Sequence, residues 1–166
     1  MKKYLLILST FLIALSLCGC QKESNLSQEI NVFDIKLKVN ETLGLSLTNT
    51  SNNIADIESE KIKISISKEQ YSTDVPKFEE VADKFISDLN SNEENTVLVN
   101  DNNKVIVIDK KLENKSSNTK NKNYTIDGLY LNDKCYYSIL FYGDYDSMLE
   151  NKDWIIESLK TVSFNS

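Results

Sequence analysis

The chain has 166 residues, a net charge of −6, no histidine and only four glycines. Without histidine, a Ser-His-Asp triad, a Cys-His dyad and an imidazole metal ligand are all excluded. Four scattered glycines cannot build a phosphate-binding loop. The acidic balance argues against nucleic acid as a partner, because phosphate binding needs a basic surface.

The chain begins with a targeting segment rather than with part of a fold. Two lysines follow Met1, and residues 4–17 form an apolar run. This run of about fourteen residues is shorter than the ~20 that a membrane-spanning helix needs. It ends in Leu17-Cys18-Gly19-Cys20, which resembles the lipobox of bacterial lipoproteins.

The lipobox resemblance implies that the chain is cleaved after Gly19 and that the thiol of Cys20 is joined to diacylglycerol. Acyl chains such as palmitate would then hold the protein at the outer side of a cell membrane, because two chains anchor more firmly than one. Loss of the two early lysines makes the mature chain more acidic, so the lipid and not a basic patch would supply the attachment. The alternatives are an ordinary secretory signal and a helical membrane anchor.

These features predict three parts of the chain: a signal peptide over residues 1–19, a polar lipidated tether over residues 20–29, and one domain over residues 30–166. The first third of the domain alternates apolar and polar residues at period two, which indicates strands with one buried face. These predicted strands cover residues 32–39, 43–47 and 61–67.

The pattern then changes to helical spacing between residues 78 and 89. Pro76 suits the first turn of this helix, where its missing N–H removes no bond. Two further pairs of strands follow: residues 96–99 with 105–108, and residues 124–131 with 135–142 around a turn at Asn132-Asp133. The stretch 113–123 is a polar, low-complexity loop.

A second helix is predicted to begin at a capping box formed by Ser147 and Glu150. Its core face should include Leu149, Ile155, Ile156 and Leu159. The resulting order is β-β-β-α-β-β-β-β-α, which indicates an α+β fold built on an antiparallel sheet with two helices.

Two helical segments carry a second resemblance. Residues 78–82 (FEEVA) are similar to the central helix, and residues 154–160 (WIIESLK) to the closing helix, of the PsbP-like family, which includes DcrB-type and LpqN-type lipoproteins. This resemblance implies an α/β/α sandwich and a binding or assembly protein without catalytic residues.

Tyrosines near the last hairpin form the candidate binding surface: Tyr130, Tyr136, Tyr142 and Tyr145. Alternation places Tyr136 and Tyr142 on the same face of their strand. Aromatic rings with hydroxyl groups at the rim could stack on a glycan or an extended peptide. The alternative is that tyrosine simply favours half-buried strands.

Other chemistry-bearing residues have structural explanations. Cys135 is expected to be a small buried hydrophobe, and the acidic group Asp144, Asp146, Glu150 and Asp153 lacks the spacing of an EF-hand loop. We therefore predict no catalytic residue, metal or cofactor. The expected function is that of a non-enzymatic binding or assembly factor of the cell envelope, whose partner is an envelope protein or a glycan. The alternative is a receptor for a small solute or glycan.

Overall fold

The computed structural model of the chain describes residues 26–71, 76–89, 96–101, 104–113 and 121–165. Within these ranges the chain forms antiparallel sheets and two α-helices, so the predicted α+β class is confirmed. The helices are α1 (Phe78–Leu89) and α2 (Tyr145–Lys160). The strands are β1 (Leu26–Val32), β2 (Ile35–Asn40), β3 (Ser46–Thr50), β4 (Ile54–Glu58), β5 (Ile62–Gln70), β6 (Thr96–Asp101), β7 (Lys104–Glu113), β8 (Asn121–Leu131), β9 (Cys135–Gly143) and β10 (Ser163–Phe164).

A seven-stranded sheet in the order β3-β4-β5-β9-β8-β7-β6 forms the centre of the fold. Helix α1 packs on one side of it, over β7 and β8. Helix α2 lies on the other side with a small sheet in the order β1-β2-β10. The main core lies between the large sheet and this second layer, where Ile35, Leu37 and Val39 of β2 are fully buried.

The two hairpins predicted after α1 are confirmed. Strands β6 and β7 pair antiparallel, and β8 pairs with β9 around the turn at Asn132-Asp133. The prediction of a loop over 113–123 is wrong at both ends, because Glu113 lies in β7, residues 121–123 lie in β8, and Glu113 pairs with Asn121. Residues 114–120 of this stretch lie outside the described part of the chain.

The sequence prediction is wrong in the first third of the domain. A single strand over residues 32–39 is excluded, because the chain reverses at Phe33 and Asp34 between β1 and β2. Phe33 has φ +54°, a left-handed conformation that is unusual for a bulky side chain. Strand β4 was missed because it is only five residues long and follows a polar connector.

The predicted tether overlaps the first strand. Residues 26–29 were expected to belong to it, but they lie in β1 and pair with β2. Residues 20–25, the predicted signal peptide, its predicted cleavage site after Gly19 and the predicted lipidation site Cys20 lie outside the described residues.

Helix α2 begins differently from the prediction. Its N-cap is Asp144, whose carboxylate accepts a hydrogen bond from the backbone N–H of Ser147 at 2.9 Å. Hydrogen bonding from the side chain of Ser147, and then from its backbone N–H, lowers the pKa of Asp144, because these bonds stabilise the ionised form. Ser147 is buried, and Leu149 is 50% exposed rather than in the core. Met148 takes the predicted core position of Leu149, because its spacing from the buried Ile155 and Leu159 puts it on the same face of the helix.

The outer strands of both sheets are irregular. Strands β3 and β6 form the two edges of the large sheet, and β1 forms one edge of the small sheet. In each of the three, the pairing register shifts by one residue: after Leu26 in β1, after Leu47 in β3 and after Val97 in β6. Such β-bulges twist an edge away from straight pairing.

Candidate functional site

The four candidate tyrosines do not form one surface. Tyr130 is buried in the core, on the α2 side of β8, and its hydroxyl donates to the carbonyl oxygen of Leu159 at 2.7 Å. It therefore cannot contact a ligand at the surface. Its closeness to the hairpin in sequence was misleading, because residues of a strand alternate between the two sides of the sheet.

Tyr145 also lies on the α2 side, as the first residue of α2. Its ring meets the ring of the buried Tyr124 edge-on, with centroids 5.8 Å apart. This contact is typical of aromatic packing in cores. Tyr145 and Tyr130 are thus separated by the sheet from Tyr136 and Tyr142, which project from β9 towards the α1 side.

Tyr136 marks the boundary of the region that α1 covers. It packs against the apolar cluster beneath α1, and its ring stacks on that of Tyr71 with centroids 6.1 Å apart. Its hydroxyl donates to the carboxylate of Glu69. Burial and this bond raise the pKa of Tyr136 to about 12.

Beyond Tyr136, the α1 side of strands β4, β5 and β9 is not covered by the helix, and we call this region the open half. Its side chains stand in register across the three strands. Lys63 lies between Glu58 and Tyr142, and Ser65 lies between Asp56 and Leu140. The open half comprises Asp56, Glu58, Lys63, Ser65, Ser67, Ser138, Leu140 and Tyr142.

A carboxylate lies at the centre of the polar side chains in the open half. One oxygen of Asp56 accepts a hydrogen bond from the hydroxyl of Ser65 at 2.9 Å, and the other accepts from the amide of Asn49 at 3.1 Å. Beside it, the ammonium of Lys63 lies 3.2 Å from the carboxylate of Glu58. This arrangement offers fixed donors and acceptors next to the ring of Tyr142, as a polar ligand or a protein surface would require.

Most side chains of the open half were not among the predicted site residues, because the predicted residues were all tyrosines and the open half is mainly polar. A signal was present in β5, where Lys63, Ser65 and Ser67 alternate with isoleucines. A strand that alternates in this way has one face without an apolar cover. The sequence could not, however, show that β4 places Asp56 beside Ser65.

A second polar cluster ties the small sheet to the large one. Lys68 of β5 lies 2.5 Å from the carboxylate of Asp34, which also accepts a bond from the hydroxyl of Tyr137 at 3.0 Å. The Lys68 ammonium lies 5.9 Å from the ring centroid of Phe33 and 5.8 Å from that of Tyr137. We call Phe33, Asp34, Lys68 and Tyr137 the hairpin clamp. Its contacts join parts of the fold rather than form a site.

The remaining candidate residues have structural roles. Cys135 is 3% exposed and lies in the core beside Tyr137, as a small hydrophobic residue would. In the part of the chain that is described, no three His, Cys, Asp or Glu side chains are grouped so as to hold a metal ion. No helix in the same ranges is both long and apolar enough to cross a membrane.

Two clefts lie near the open half: one borders the open half itself, and the other borders β3 at the edge of the large sheet. One of about 510 Å³ is lined by Asn53, Ile54 and residues 67–70. Another of about 360 Å³ lies between β1 and β3, with Val32, Leu45 and Ile57 at its floor.

Comparison with known proteins adds no relative: no family model matches the chain, and no curated protein sequence is similar to it.

Proposed function

We propose that the chain is a lipid-anchored extracytoplasmic protein that acts as a non-enzymatic binding or assembly factor of the cell envelope. The anchor rests on the Leu17-Cys18-Gly19-Cys20 motif. The binding role rests on one observation about the α1 side of the large sheet. One half of this side is apolar and is covered by α1, whereas the open half carries ordered polar side chains and Tyr142.

The first candidate for the partner of the open half is an envelope protein. The half-exposed surface combines the ring of Tyr142 with polar groups, and non-obligate interfaces between proteins are enriched in aromatic side chains while their rim is polar. A hydrogen-bonded carboxylate such as Asp56 is held in one orientation, so little side-chain freedom is lost when a partner binds.

A glycan or small polar solute is the second candidate. It is favoured by the position of Tyr142 in the same row as Lys63 and Glu58, because aromatic rings beside hydrogen-bonding groups bind polyhydroxylated ligands. The two proposals differ in the expected affinity for small molecules. A glycan fragment that raises the unfolding temperature would favour this second candidate over the protein partner.

The anchor is tested by exchanging each thiol of the motif separately. Cys20→Ser should leave the protein unprocessed or release it from the membrane fraction, because no lipid can be attached. Cys18→Ser is the matched control, since Cys18 lies in the segment that cleavage removes. A Cys20→Ser protein of mature size that still sediments with membranes would refute the anchor.

The binding face is tested with a photo-crosslinking amino acid placed at position 142 and, as a control, at position 149. Leu149 is exposed but projects from α2 on the other side of the sheet. In intact membranes, position 142 should yield a specific crosslinked product that Asp56→Lys abolishes, because the lysine removes the ordered carboxylate. Identical products from both positions, or products unaffected by Asp56→Lys, would exclude the open half as the binding face.

A further inference from the structure

The longest uncharged stretch of the described chain is an exposed hairpin. Residues 42–55 contain no charged side chain, although 27% of the whole chain is charged. This stretch includes β3 and the turn that joins it to β4, and we call it the neutral hairpin. Every residue from Ser46 to Ile54 is exposed.

Two large aliphatic side chains project from the neutral hairpin. Leu47 is 55% exposed and Ile54 is 45% exposed. They lie on opposite sides of the sheet, since Leu47 pairs with the buried Ile57 and Ile54 pairs with Ser67 of the open half. An object that approached the sheet edge-on would therefore contact both.

The neutral hairpin lies close to the point where the chain enters the domain. Strand β1 begins at Leu26, and the side-chain amide of Gln28 donates to the carbonyl oxygen of Leu45 at 3.2 Å. Cys20 precedes Leu26 by six residues, which span at most ~20 Å when fully extended. A lipid on Cys20 would hold this edge of the sheet near the membrane surface.

We propose that the neutral hairpin docks edge-on against the membrane, with Leu47 and Ile54 in the headgroup region of the bilayer. This inference rests on the proposed lipid anchor and adds an orientation to it. Most of the surface of an acidic domain is repelled by anionic lipids, and an uncharged edge is the part that approaches them without this cost. The backbone groups of β3 stay hydrated, because the headgroup region contains water.

Docking through two side chains is weak by itself and depends on the anchor. A short tether raises the effective concentration of the hairpin at the surface to about the millimolar range. The unanchored domain should therefore not bind vesicles, whereas the anchored one should insert its aliphatic side chains. This orientation leaves the open half roughly perpendicular to the membrane and accessible to a partner.

The experiment compares single tryptophans in the lipidated protein. Leu47→Trp and Leu149→Trp place tryptophan at two positions of similar exposure, and Leu149 lies on the helix that packs over β8, four strands away from β3. The native Trp154 is 7% exposed and supplies the same background in both. Each protein is reconstituted into phosphatidylcholine–phosphatidylglycerol vesicles with or without bromine on the acyl chains.

Brominated lipid should quench the added fluorescence of Leu47→Trp roughly twofold and leave that of Leu149→Trp unchanged, because only the first side chain would lie at the acyl boundary. Equal quenching at both positions, or none at position 47, would overturn the docking inference. The second result would be expected if this edge bound a protein strand instead. Equal unfolding midpoints of both variants and the parent in urea would verify that they are folded.

The anchor itself is checked by the mass of the Cys20 peptide. A peptide without diacylglycerol refutes the proposed function, and the chain is then coupled to maleimide lipid through Cys20 after removal of residues 1–19. The same comparison of positions 47 and 149 decides the docking inference in that case. Failure of the anchor and failure of docking are thus distinguished.

Discussion

The α1 side of the large sheet has two halves that differ in composition and cover. Under α1, Val105, Val107, Leu129 and Leu131 form an apolar surface that is almost inaccessible to water. In the open half, serines and charged side chains of β4, β5 and β9 occupy the equivalent positions. The sheet is continuous across both halves, so the side chains and not the backbone decide where the helix packs.

The sequences of the strands in the two halves differ in the same way. Residues 105–108 of β7 are four consecutive apolar residues, and all are buried because both faces of the strand are covered. Strand β5 instead alternates isoleucine with lysine and serine, and only its isoleucines are fully buried. A continuous apolar run therefore indicates two covered faces, and alternation indicates one.

The largest expected effect comes from removing apolar volume in each half. Leu129→Ala should lower the free energy of unfolding by about 3 kcal/mol, because Leu129 is 1% exposed and its loss leaves a cavity. Leu140→Ala should cost about 1 kcal/mol or less, since the side chain is only half-buried. Urea unfolding followed by Trp154 fluorescence measures both.

This pair also tests whether the open half is open in solution. A loss of stability at Leu140 as large as that at Leu129 would mean that another part of the chain covers it. The unfolding slopes of both variants should match that of the parent, because neither change alters the surface exposed on unfolding very much.

A smaller effect is expected from removing a single hydroxyl on each side of the sheet. Tyr130→Phe should cost about 1 kcal/mol, because the carbonyl oxygen of Leu159 loses its buried side-chain donor and keeps the backbone N–H of Val162 at 3.4 Å. Tyr142→Phe should leave stability unchanged within ~0.5 kcal/mol and instead weaken ligand binding at the open half. The opposite pattern would place Tyr142 in the core and refute the comparison.

The smallest effect on stability is expected at the hairpin clamp. The clamp is held by charged groups, whereas the cluster under α1 is held by apolar packing. Hydrogen bonds from Lys68 and Tyr137 lower the pKa of Asp34 from its ordinary value of 3.8. The contribution of the Asp34 carboxylate to stability is therefore complete at a pH above its ordinary pKa. It is lost as the pH falls through the lower pKa of the folded state. The side chain is 55% exposed, so we expect less than about 1 kcal/mol.

Asp34→Asn isolates this contribution. The variant should be slightly less stable than the parent at neutral pH, and the difference should shrink as the pH approaches 2, where the parent loses the same interaction. Unfolding in urea between pH 2 and pH 7 measures it. A difference that is constant over this range would mean that Asp34 acts through packing and not through its charge.

The sequence predicted α1, β8 and β9 because their apolar patterns are long. The spacing of apolar residues between 78 and 89 matches α1, and the turn at Asn132-Asp133 is where β8 meets β9. The reversal at Phe33 was unpredictable, because a phenylalanine at positive φ breaks the usual turn chemistry. Contacts with the rest of the fold, including the ammonium of Lys68 near its ring, accompany this conformation.

The site was predicted less well than the fold, for a physical reason. Alternation correctly separates Tyr136 and Tyr142 from Tyr137, but no local pattern indicates which side of a strand a helix will cover. Tyr130 and Tyr145 were assigned to the surface because they are near the hairpin in sequence. Their burial depends on α2, which packs against β8 from a distant part of the chain.

The irregular edges would matter most if the proposed lipid anchor concentrates many copies of the protein on one membrane surface. Straight, unguarded strands on neighbouring molecules could pair and grow into fibrils, especially along the uncharged β3. The extra residue after Leu47, like those after Leu26 and Val97, interrupts the regular spacing that such growth would require. The domain can thus keep an edge free of charge without turning it into a template for aggregation.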